Sequence, residues 1–90
     1  MRWLAEVHVR LRSGIADPEG QTVAGALRAL GFEGVIDVRA GKLLRLTLEA
    51  DDRAAAEAAV DEMCRRLLAN PVMETADWEL QSAEPVGAEP

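Results

Sequence analysis

Few side chains in this 90-residue chain have the chemistry to cut, transfer or ligate anything. His8 is the single histidine; it stands on the polar side of an alternating run, with no cysteine or second histidine at ligand spacing, and reads as a surface or interface residue. Cys64 is the single cysteine, so it has no partner for an internal disulfide, and its place on an apolar stripe reads as a buried, inert thiol. Asp51 and Asp52 stand at a helix start, where adjacent acids cap and complement the dipole rather than hold a metal. Gly41-Lys42 is too short for a phosphate loop, and no acid and base are spaced to share a cleft. The residues predict a chain with no catalytic group, no metal site and no cofactor site of its own.

The elements that would carry these residues follow from periodicity. Trp3, Ala5, Val7, Val9 and Leu11 alternate with Arg2, Glu6, His8, Arg10 and Arg12, the period of a half-buried strand. Asp17-Pro18-Glu19-Gly20 opens a helix: an N-cap acceptor, a proline at the first helical position, and an acid near the positive end. Val23, Ala26, Leu27 and Leu30 form its inward stripe, and Gly31 stops it with Phe32 placed to fold back. Asp51-Asp52 starts a second helix with Val60, Met63, Cys64 and Leu67 inward and Arg65 and Arg66 near its negative end. Asn70-Pro71 ends it, Asn by tolerating a left-handed turn and Pro by refusing to continue. Residues 73 to 81 form a last strand with Ala76, Trp78 and Leu80 on one face.

Between the helices, Ile36 and Val38 and then Leu44, Leu46 and Leu48 all fall on even positions. This predicts a central hairpin over residues 34 to 49, turning at Arg39-Ala40-Gly41-Lys42 with Gly41 in the left-handed region. The order is strand, helix, strand, strand, helix, strand (βαββαβ). Right-handed crossovers then give an α+β two-layer sandwich of ferredoxin-like type, an antiparallel sheet with two helices on one face. The single domain spans residues 1 to 81, and residues 82 to 90, with two prolines, a glycine and two acids, form a flexible C-terminal tail.

Composition bounds the partners. A chain this short buries about 60 to 65% of its unfolded surface, so association with itself or another protein is expected. The net charge of -6 opposes nucleic-acid or anionic-membrane binding, which needs a basic footprint. With no long apolar run and no cleavable signal, a cytoplasmic location is expected.

Val7-His8-Val9-Arg10-Leu11, Asp17-Pro18-Glu19-Gly20, Leu30-Gly31-Phe32, Asp37-Val38-Arg39-Ala40-Gly41-Lys42, Cys64 and the run Leu67-Leu68-Ala69-Asn70-Pro71-Val72-Met73-Glu74 together resemble the PurS family, the small subunit of phosphoribosylformylglycinamidine synthase. The resemblance spans residues 3 to about 80. It implies a ligase complex of purine synthesis in which a glutaminase, PurQ, releases ammonia and a synthetase, PurL, uses ATP and magnesium to convert formylglycinamide ribonucleotide to its amidine. PurS copies, as dimers or tetramers, would bridge the two without a catalytic residue. The match at Arg39, Gly41 and Lys42 implies an interface role for them, while Asp17, Pro18, Gly20, Asn70 and Pro71, at the helix ends read above, are structural. Two other classes fit the fold order: a small-molecule-sensing regulatory domain, and a small metal carrier, whose CxxC loop this chain lacks.

Overall fold

The computed structural model describes residues 1–83. Residues 84–90, most of the expected tail, lie outside the described residues, and Ser82 belongs to the last strand rather than the tail. Three strands form the sheet: β1 (Arg2–Leu11), β2 (Gly41–Glu49) and β3 (Glu74–Ser82), in the order β2-β1-β3, with both pairings antiparallel. Two α-helices intervene, α1 (Pro18–Ala29) and α2 (Arg53–Met63), the second continuing into a π-helical turn, Cys64–Leu68. The antiparallel α+β class expected from periodicity is the class found.

Alternation in β1 decides the core. Trp3, Ala5, Val7 and Val9 are buried, and pairing places Leu44 and Trp78 on either side of Val7, and Leu46 and Leu80 on either side of Ala5. Val60, Cys64 and Ala69 close over this face from the helical side. Each fully buried valine contributes about 1.5 to 3 kcal/mol, so Val7 and Val60 anchor the layer. Trp3 donates its indole N–H to the Ala50 carbonyl at 3.3 Å, and the Arg53 guanidinium lies over its ring at 5.6 Å.

The helix ends follow local rules. Asp17 caps α1, accepting from the Gly20 N–H at 2.9 Å, and Asp52 caps α2, accepting from the Ala55 N–H at 2.8 Å. At the C-terminus of α1, Gly31 takes φ +102°, the Gly31 N–H reaches the Arg28 carbonyl, and the Phe32 N–H reaches the Leu27 carbonyl, a Schellman closure.

Four expectations are corrected. Residues 34 to 40 form no strand and no hairpin; Ile36 is 89% exposed, and Gly41, not at positive φ, is the first residue of β2 opposite Arg10. The reason is that β1, not the preceding segment, is the antiparallel partner of β2. Next, the stripe on α1 does not enter the core: Gly20 and Ala24 are buried, whereas Val23 is exposed and Leu30 is 74% exposed. A radius of gyration of 17.4 Å, against about 12 Å for a compact chain of this length, fits a helix that stands away from the sheet. On the second helix, the π turn inserts one extra residue, which rotates Leu67 out to 82% exposure and turns Leu68 and Ala69 inward. Finally, Asn70 does not adopt positive φ; its side chain accepts from the Val72 N–H at 3.0 Å instead.

Candidate functional site

The residues singled out at the predicted tip meet at one corner of the sheet, where β1 ends and β2 begins. Asp17 is its hub. Its carboxylate is 3% exposed; Oδ1 accepts from the Gly20 N–H and Oδ2 accepts from the Ala40 N–H at 2.8 Å, with Arg39 Nε 4.0 Å away. One acid therefore caps α1 and holds the entry to β2. Gly20 makes this possible, because a Cβ there would run into the Val38 carbonyl oxygen. Pro18, the first residue of α1, donates no N–H, and its fixed φ suits a helix start.

Arg39 reaches back across the corner, donating through Nη2 to the Ile15 carbonyl at 3.2 Å and to the Arg12 carbonyl at 3.4 Å. It is thus partly a tie between segments, which its place on an expected loop tip gave no reason to anticipate. The side chains of Lys42 and His8 have no hydrogen-bond or ion-pair partner among the described residues. Arg10, on the outer face of the sheet, gives Nη2 to Asp77 at 2.7 Å. An open hollow of about 590 Å³ at this corner is lined by residues 8–11 and 39–43; the register sets Gly41 and Leu43 on the outer face with Arg10 and His8, and Lys42 on the other face, opposite Val9. Gly41 shapes its floor: it faces Arg10 across the strand pair with no side chain, and a Cβ would stand 2.8 Å from the Val9 carbonyl oxygen. His8 and Arg10 join this site only through the β1–β2 register, which the expected hairpin did not contain.

Asn70 and Pro71 lie away from the hollow as a structural joint. The Asn70 N–H donates to Glu74 at 2.8 Å, and the Pro71 carbonyl accepts from Arg12 Nε at 3.1 Å and Nη2 at 2.9 Å. Cys64 is buried, and burial first, then Asp61, pushes its thiol up from the ordinary range, away from the reactive thiolate. Among the described residues no group of three or more His, Cys, Asp or Glu is placed to hold a metal, and no helix is long and apolar enough to cross a membrane.

The backbone N–H groups of Gly20 and then Ala40, helped by Arg39, hold the Asp17 carboxyl below the usual carboxylate range against the opposing effect of burial. A depressed acid stabilises the fold above its unfolded pKa, about 3.9, and that contribution is lost as pH falls through the lower folded value. Asp17→Asn, which loses the charged acceptor, is expected to lower the melting temperature at pH 7 and to flatten the loss of stability below about pH 4 relative to the parent. Thermal unfolding across acid pH checks this; an unchanged acid limb would show that Asp17 does not contribute to it.

The architecture is that of a small α+β domain whose polar side chains tie its segments together at the entry to β2. Residues 4–82 match the family model PurS, described as phosphoribosylformylglycinamidine (FGAM) synthase, and the chain belongs to that family. A PurS subunit of phosphoribosylformylglycinamidine synthase from Mycobacterium leprae is 47% identical over 76 residues, covering 84% of this chain and 90% of its own. The structure of PurS from Thermus thermophilus superposes with a TM-score of 0.84 at 39% identity, covering 93% of this chain and 100% of that one. A chain in the structure of PurLQS from Thermotoga maritima superposes with a TM-score of 0.83 at 31% identity, covering 90% of this chain and 99% of its own.

Proposed function

We propose that this chain is the small, non-catalytic subunit of phosphoribosylformylglycinamidine synthase, holding a PurQ-type glutaminase and a PurL-type synthetase together in purine synthesis. The observation that carries the reading is likeness along nearly the whole chain to PurS subunits, one of them within a PurLQS assembly. Its chemistry belongs to the partners: the glutaminase releases ammonia, and the synthetase, with ATP and magnesium, uses it to form the amidine. This chain supplies surfaces. Arg39, Gly41 and Lys42 form part of the contact with a larger subunit, and the exposed stripe of α1 and the two open sheet edges favour association with further copies of the chain, as a dimer or tetramer. A cytoplasmic location accords with that role. No observation favours the small-molecule-sensing alternative over it.

Omission separates bridging from chemistry. Mixtures of the glutaminase and synthetase without this chain are expected to retain amidine synthesis from added ammonium and to lose most synthesis driven by glutamine. Adding the chain should restore the glutamine reaction and co-elution of all three proteins. Full glutamine-driven turnover in its absence would refute the reading.

A further inference from the structure

Helix α1 carries an apolar face that its own sheet does not receive. Val23, Leu30 and Phe32 are exposed, and no residue of α1 belongs to the core cluster. Nor is the helix free to swing onto that sheet. Asp17 ties its start to the Ala40 N–H, Gly20 leaves the Val38 carbonyl room to approach where a Cβ would clash, and Arg28 in its last turn donates to the Val35 carbonyl at 3.0 Å and the Ile36 carbonyl at 2.9 Å. Helix and return segment therefore form one arm, on which Ile36 is also exposed.

The complementary feature lies beside α2. Leu46 of β2, with Ala59, Met63, Leu67 and Leu68, lines an open apolar groove of about 580 Å³. The charged residues on its rim, Glu62 and Arg66, are paired with each other at 3.2 Å, so the groove suits an apolar helix face rather than a charged segment. Met63 and Leu67 are exposed along its wall, and Leu46 beneath them is only half-buried.

From this arrangement we infer that α1 of a second copy of the chain lies in the groove, with Val23, Leu30 and Phe32 against Leu46, Met63 and Leu67, and that two copies exchange arms about a two-fold axis. Each sheet then receives from its partner the second helix of a two-layer sandwich. A second copy accounts for both surfaces at once, because it covers the arm and the groove of each chain, whereas another protein seated in the groove leaves α1 bare. Reciprocity also doubles the contact: a 12-residue helix is about 18 Å long, and each chain buries both an arm face and a groove, toward the roughly 800 Å² per partner of a specific interface. The inference rests on the self-association proposed above, while the bridging role stands or falls separately by the omission experiment.

Complementary variants test the exchange. Leu30→Lys alters the arm at a helix C-terminus, where a cation suits the dipole, and Leu67→Lys alters the groove at a residue that the single chain leaves exposed. Leu43→Lys, on the opposite sheet face across from His8, is the control. Light scattering at micromolar concentration is expected to give two or four copies for the parent and for Leu43→Lys, and self-association weaker by about tenfold or more for each of the other two. Mixing Leu30→Lys with Leu67→Lys should restore much of it, because a mixed pair keeps one unaltered arm in one unaltered groove. Leu30→Gln and Leu67→Gln replace any variant that circular dichroism shows to be unfolded. A monomeric parent, undiminished association of both variants, or a mixture that associates no better than either variant alone would overturn the inference. So would dissociation by Leu43→Lys alone.

Discussion

Gly20→Ala is expected to destabilise the chain by about 2 kcal/mol, against the ordinary trend for a glycine inside a helix. In an open helical position the same change stabilises by about 0.5 to 1 kcal/mol, because alanine loses less backbone entropy. Here the added methyl meets the Val38 carbonyl oxygen and sits 2.7 Å from Asp17 Oδ2, so either the approach to β2 or the cap must give way. Gly25 in the same helix has nothing within 4 Å of its missing Cβ, and Gly25→Ala is the internal control, expected to raise stability. Chemical denaturation of the pair reads the difference directly. Should both substitutions stabilise, the close approach of α1 to the entry of β2 is not maintained in solution.

Val60→Ala is expected to cost about 2 to 3 kcal/mol, the lost transfer of two methyl-sized groups plus the cavity they leave. Val60 is fully buried in the same cluster as Val7, and its small neighbours there, Ala5 and Ala69, cannot reach across to fill the space. For a domain of this size that corresponds to a fall in melting temperature of about 10 to 20 °C. Val23→Ala, on the exposed stripe of α1, should move the melt of the isolated single chain far less. A small effect at Val60 would mean that α2 packs loosely on the sheet.

How much of this was legible in the sequence depended on how local the signal was. The caps at Asp17 and Asp52 and the glycine stop at Gly31 need only a few neighbouring residues, and the structure has all three. Alternation, broken only at Leu4, identified β1, and alternation identified the Ala76, Trp78, Leu80 face of β3 for the same reason. The segment around Ile36 and Val38 alternates just as well, but alternation is silent about pairing, and β2 pairs with β1 more than thirty residues away rather than with its neighbour. Leu67 and Leu68 stand one residue apart, and helical spacing cannot tell which faces in once a π turn shifts the count. Amphipathicity on α1 was readable, but the surface it covers was not, because nothing in its own core receives it. At the hollow, Arg39, Gly41 and Lys42 were legible as neighbours in sequence, whereas His8 and Arg10 arrive through strand register.

The place of β1 in the sheet has a consequence for how the chain reaches its fold. Among the described residues the central strand comes first in sequence, and both of its neighbours come much later: Arg2 pairs with Glu49, and Trp3 pairs with Ser82. While translation proceeds, Trp3, Ala5, Val7 and Val9 therefore wait without either flank, and the sheet cannot be completed until nearly the whole described chain has emerged. Such long separations carry a large loop-closure cost and slow folding relative to a helical protein of equal length. A nascent chain halted before residue 74 would hold a strand open on one side, so the last nine-residue strand acts as the step that ends its exposure.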